Sequence, residues 1–138
     1  MQILLADMDQ MFLDVVQRFL ILKGYDVETA NHDITCIRLL EELQPEILIL
    51  DDAFVWSGFG VLDWISAVDN RFLHSVIVMG DTNSDSNLSD SGINVRHLVK
   101  PFGLVELLRE VETCTSEHCR ADKLRDLIAN SRRGVRIC

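Results

Sequence analysis

Short apolar blocks alternate along the chain with stripes of helical spacing. Residues 2 to 6, QILLA, are an apolar run ending in charge, the pattern of a buried strand. From 10 to 22 the apolar positions Met11, Phe12, Val15, Val16, Phe19, Leu20 and Leu22 predict a helix, which Gly24 is placed to cap. YDVETA, residues 25 to 30, alternates like a second strand, and DITCIRLLEEL, 33 to 43, reads as a second amphipathic helix ending before Pro45. EILILD, 46 to 51, is an almost unbroken apolar run, suited to a strand covered on both faces. After DAFVWS, Gly58 opens a helix with Val61, Leu62 and Ile65 on one side. SVIVM, 75 to 79, is a fourth strand, residues 80 to 92 are a polar loop with at most a short helix, and VRHLV, 95 to 99, is a fifth strand. PFGLVELLREVETC, 101 to 114, is a last helix with Pro101 near its start.

Strand and helix alternate five times, which predicts a parallel sheet with helices on both faces. In such sheets ligand chemistry sits beyond the carboxyl ends of the strands. Asp7 and Asp9 follow the first strand there, Asp51 and Asp52 the third, Gly80 and Asp81 the fourth, and Lys100 the fifth. Four carboxylates, Asp7, Asp9, Asp51 and Asp52, are thus expected to converge with one lysine on one edge.

At 138 residues the chain is the size of one domain. Its net charge is uneven. Residues 1 to 115 carry 19 acids and 7 bases, giving −12, while 116 to 138 carry 3 acids and 6 bases, giving +3. An acidic body repels phosphates, so direct nucleic-acid binding is not expected. No apolar run reaches the roughly 18 residues of a membrane span, and MQILLADMD lacks the basic start of a secretory signal. The expectation is a cytoplasmic chain without membrane contact. Cys36, Cys114, Cys119 and Cys138 have no CxxC spacing, so reduced thiols are expected. Cys114, His118 and Cys119 fall short of a zinc ligand set, and an ordinary helix surface is the expectation there.

Clustered carboxylates repel a bare phosphate unless a divalent cation reverses the local field. Magnesium prefers oxygen ligands and pairs with phosphates, and a lysine opposite can balance phosphoryl oxygens. One aspartate is then free to attack phosphorus, forming an acyl phosphate. No GxGxxG or GxxxxGK[ST] motif competes.

ILLADMDQMFLDVVQRFLILKGYDVETA, PEILILD and LVKPF resemble the receiver domain of two-component response regulators over residues 2 to about 115. The resemblance implies a flavodoxin-like α/β fold, a five-stranded parallel sheet in the order 2-1-3-4-5. It sets the boundaries at 1–115 for the receiver-like domain and 116–138 for a C-terminal helical extension. It also implies that Asp51 is the phosphoacceptor, Asp7 an acidic-pocket residue, Lys100 the phosphate-binding lysine and the Ala53 carbonyl a metal ligand. A histidine kinase or phosphotransfer protein would be the donor, and a downstream protein the target. The chain would be a signalling domain whose own chemistry is limited to taking and losing a phosphoryl group.

Four positions depart from the family pattern. Met8 stands where a second acid touches magnesium, Gly80 where a Thr or Ser hydroxyl binds the phosphoryl group, and His97 where an aromatic residue precedes the lysine. DAFVWSG lacks the usual Met-Pro. The expectation is therefore weak magnesium binding and weak switching, with Asp9 or Asp52 as alternative oxygen donors and capping of the first helix as the plainer role for Asp9. A phosphorylation-independent interaction module, in which Asp51 and Lys100 persist as a salt bridge, is the main alternative. A second is a haloacid-dehalogenase-like phosphatase with Asp7 as nucleophile, Asp9 as general acid and Gly80, Asp81 and Asp85 as its acidic motif. Against it, Lys100 follows that motif instead of preceding it, and PEILILD is left without a role.

From Leu104 to Arg133 there is no proline or glycine. Leu104, Leu107, Leu108, Val111, Cys114, His118, Ala121, Leu124, Leu127 and Ile128 recur at intervals that put them on one seam. A continuous helix ended by Gly134 is the expectation, its second half pairing two copies of the chain, folding back onto the body or binding another protein.

Overall fold

The computed structural model describes residues 1–54, 61–67, 71–80 and 93–133, and for Leu62, 118–126 and 128–133 it describes the backbone alone. Five strands, β1 (Gln2–Ala6), β2 (Asp26–Ala30), β3 (Ile47–Asp51), β4 (Ser75–Gly80) and β5 (Asn94–Val99), form one sheet in the order β2-β1-β3-β4-β5. All four pairings are parallel. This is the expected flavodoxin-like architecture. Four α-helices are described, α1 (Gln10–Leu22), α2 (Asp33–Leu43), α3 (Val61–Ala67) and α4 (Leu104–Arg133), with a short 3-10 turn at Asp52–Phe54.

Alternation along the strands divides the core into two layers. Leu4, Leu48, Leu50, Val76 and Val78 pack with Cys36 and Leu40 of α2 and Val61 and Ile65 of α3. Ile3, Leu5, Ile47, Ile49, Ile77 and Met79 pack on the opposite face with Leu13, Val16 and Leu20 of α1 and Leu107, Val111 and Cys114 of α4. β1, β3 and β4 are sealed on both sides, which is why their sequences read as apolar runs and not as alternation.

The helix ends follow local chemistry. Asp9 accepts hydrogen bonds from the amides of Met11 and Phe12 and caps α1. At the other end Gly24 takes a φ of 97° and donates to the Ile21 carbonyl, the left-handed stop that glycine favours. Gln44 adopts φ 48° to close α2 before Pro45. The last helix begins at Leu104 and not near Pro101: its first described bond from a flanking residue runs from Leu107 to the Gly103 carbonyl. It then continues for 30 residues, about 45 Å, as the seam predicted. Cys114 is fully buried against the sheet, a correction to the expectation of a surface position, because it falls on the apolar stripe of α4. Burial pushes its thiol up, as it pushes Cys36 to about 12. Among the described residues no helix is long and apolar enough to cross a membrane.

Ile49→Ala should cost about 2–5 kcal/mol, because it empties a fully buried site between α1, α4 and the sheet. Met11→Ala, at a position 79% exposed, should stay within about 0.5 kcal/mol. Urea unfolding of both variants checks this two-layer assignment.

Candidate functional site

The carboxyl ends of β1, β3 and β5 supply the site, and side-chain parity decides which residues meet. Asp7 continues the Ile3–Leu5 face of β1, Asp51 the Ile47–Ile49 face of β3, and Lys100 the Leu98 face of β5, all on the α1–α4 side. The Lys100 Nζ donates to Asp51 Oδ1 at 2.9 Å and to Asp7 Oδ2 at 3.0 Å. Asp7 is 3% and Asp51 9% exposed, so both carboxylates depend on this ammonium. Asp7 Oδ1 also accepts the Asp9 amide at 2.9 Å, which fixes its orientation. The Lys100 amide donates to the Gly80 carbonyl at 3.1 Å and sets the lysine over the end of β4.

Lys100 responds in both directions to this setting. Partial burial lowers its pKa, while hydrogen bonds to Asp51 and Asp7 and their charges raise it, and the net shift is upward from 10.5. The ammonium also stands 5.2 Å from the centre of the Phe12 ring, which meets Phe102 edge-to-face at 6.1 Å between centroids. Asp7, Asp9, Phe12, Lys100, Pro101 and Phe102 line an open cavity of about 420 Å³. The sequence names Phe12 only as an apolar helix position and Phe102 only within LVKPF, neither as a wall of the site. The available signal was that Phe12 lies three residues past a capping aspartate, on the turn of α1 nearest the strand ends.

The four carboxylates do not converge. Asp9 is turned into the α1 amides. Asp52 leaves β3 on the opposite parity and lies over Gly80, on the α2–α3 side. Met8 is 69% exposed and points away from the lysine, lining a second cavity of about 150 Å³ with His32, Asp33, Ala53 and Phe54. His97 is exposed on β5. Among the described residues no three His, Cys, Asp or Glu side chains are grouped to hold a metal ion. Two carboxylates, Asp7 and Asp51, remain beside the lysine as donors for a hard cation, while Ala53 lines the second cavity with Met8. Magnesium can use such a sparse set when waters complete its shell, so the residues fit a weak site. Trp56, Ser57, Gly58, Asp81 and Asp85 lie outside the described residues, as do the side chains of His118, Cys119, Leu124 and Ile128.

No protein-family model matches the chain. Among curated proteins it is 30% identical over 112 residues to the transcriptional regulatory protein PrrA of Mycobacterium leprae, covering 80% of this chain and 48% of that protein. It is 28% identical over 113 residues to response regulator RR06 of Streptococcus pneumoniae, covering 81% of this chain and 52% of the relative. The chain spans about half the length of the curated relatives it matches. Among solved structures, a signal receiver domain from Vibrio parahaemolyticus superposes with a TM-score of 0.66 at 25% identity, covering 92% of this chain and 95% of that one.

Lys100→Met should destabilise the chain by about 1–3 kcal/mol, because it leaves two buried carboxylates without their donor. The contribution of a lysine with a raised folded pKa is complete below its unfolded value and lost as pH climbs through the folded one. The stability difference between wild type and Lys100→Met should therefore be flat from neutral pH to about 10 and shrink above 10.5. A difference that already falls between about pH 7 and 9 would contradict the pairing.

Proposed function

The chain is a receiver domain of the response-regulator type, and we propose that Asp51 is its phosphoacceptor. The observation that carries this reading is the contact of Asp51 with Lys100 at 2.9 Å, the same ammonium that binds Asp7 and lines the cavity beyond the sheet. An Asp51 oxygen is the nucleophile. It attacks phosphorus in line, the new O–P bond forms as the bond to the donor breaks, and the electron pair leaves with the donor. With a phosphohistidine donor, the leaving imidazole takes up a proton. Lys100 can keep one hydrogen bond to Asp7 while its charge balances the incoming phosphoryl oxygens. Phe12 and Phe102 wall the cavity on its apolar side, beside the Lys100 ammonium.

Bound magnesium supplies positive charge that offsets the clustered acids and phosphoryl oxygens. Asp7, Asp51 and the Ala53 carbonyl would hold it, and Met8 adds no hard donor. We therefore read the domain as a weak magnesium binder, phosphorylated by a histidine kinase or phosphotransfer protein and acting on a downstream protein. With Gly80 in place of a hydroxyl residue and His97 already exposed, coupling from Asp51 to β5 is read as weak.

A second reading rests on the same contact. Lys100 already satisfies both buried carboxylates, so the cluster could persist as a structural ion pair in an interaction module that is never phosphorylated.

Acetyl phosphate with magnesium, followed by peptide mass spectrometry, should label Asp51 and no other aspartate, and Asp51→Asn should abolish the label. Met8→Asp should tighten magnesium binding by about tenfold or more, since it adds a hard oxygen and a charge. Calorimetric titration reads that change. Absence of label at saturating donor would favour the interaction module, and label on Asp7 would favour the phosphatase chemistry.

A further inference from the structure

Gly80 ends β4 on the face of Val76 and Val78. A side chain there meets an obstacle. A Cβ built on Gly80 would overlap the carboxylate of Asp52 and lie 2.8 Å from the Asp52 Cβ, closer than real side chains approach. Gly80 has no positive φ, so its lack of a side chain answers to space and not to backbone conformation. Asp52 thus fills the volume that a residue at position 80 would otherwise claim.

The location of that carboxylate gives it a consequence. Asp52 follows Asp51 directly, and Asp51 pairs in register with Met79, the neighbour of Gly80. Lys100 is engaged with Asp51 and Asp7, and among the described residues no basic side chain is paired with Asp52. Nor do Asp7, Asp51 and Asp52 group to hold one cation. Asp52 therefore adds negative charge on the β4 side of Asp51, and no described group offsets it.

We infer that Asp52 and Gly80 act as one unit that sets how readily Asp51 is phosphorylated. The carboxylate of Asp52, seated over the bare backbone of Gly80, opposes the approach of an anionic donor and the survival of the phosphoryl group. Asp52 is a tuning residue and not a catalytic one. The inference rests on Asp51 being the acceptor.

Two measurements test it. In the first, Asp52→Asn keeps the shape and removes the charge. At fixed acetyl phosphate and magnesium, the labelled fraction of Asp51 and the lifetime of its label should rise about twofold or more, the scale of one unit charge acting across the sheet edge through a partly solvated path. Raising the salt should increase labelling of the wild type and leave Asp52→Asn nearly unchanged. In the second, Gly80→Ala should lower Tm by several degrees, and Asp52→Ala with Gly80→Ala should recover most of that loss. Asp51 labelled equally or less in Asp52→Asn overturns the inference while the acceptor assignment stands. An unchanged Tm in Gly80→Ala overturns the pairing. No label in any variant overturns the acceptor assignment and this inference together.

Discussion

One ammonium group holds the carboxyl edge of the sheet together. Two carboxylates as buried as Asp7 and Asp51 would each be costly without a cation, and Lys100 serves both at 2.9–3.0 Å. The requirement reaches far into the fold. Lys100 follows β5, whereas Asp51 and Asp7 follow β3 and β1, so the contact spans the end of β4 and depends on the order β1-β3-β4-β5. The backbone bond from Lys100 to Gly80 sets the lysine at the right height. Register matters equally. A slip of one residue in any of the three strands would turn its charged end to the α2–α3 face and separate the pair.

Around that ion pair the acids have distinct roles. Asp9 caps a helix and in doing so presents its amide to Asp7. Asp52 crosses to the other face and fits against a glycine. Met8 is turned to solvent between them. Asp51 and Lys100 stand in contact at the strand ends, and a thioether stands at position 8. This accounts for the methionine between two aspartates: its position lies outside the lysine-bound cluster, so an apolar side chain there costs the fold little.

Much of this was legible in the sequence. The spacing of Met11, Phe12, Val15, Val16, Phe19, Leu20 and Leu22 set the bounds of α1, and the apolar runs in β1, β3 and β4 reported strands sealed on both sides. The continuous α4 was visible as thirty residues free of proline and glycine. The convergence of four carboxylates was not correct as read, because sequence order locates a residue at a strand end without saying which way its side chain turns. Asp9 and Asp52 differ from Asp7 and Asp51 by one residue each, and one residue reverses the face. α4 starts three residues past Pro101, since Pro101 suits a first turn but Gly103 supplies the carbonyl that the helix uses. The aromatic wall was hidden for another reason: Phe12 and Phe102 are ninety residues apart and meet only when α1 and the segment after β5 are packed on the same layer.

Fluorine NMR with beryllofluoride and magnesium puts the central claim, that the Asp51–Lys100–Asp7 cluster receives a phosphoryl group, to its most direct test. Beryllofluoride adopts the shape of a phosphoryl group on a carboxylate and needs no donor protein. The account predicts bound fluoride resonances in the wild-type chain that vanish in Asp51→Asn and weaken in Lys100→Met. Resonances that persist in Asp51→Asn, or none at saturating reagent in the wild type, would contradict it.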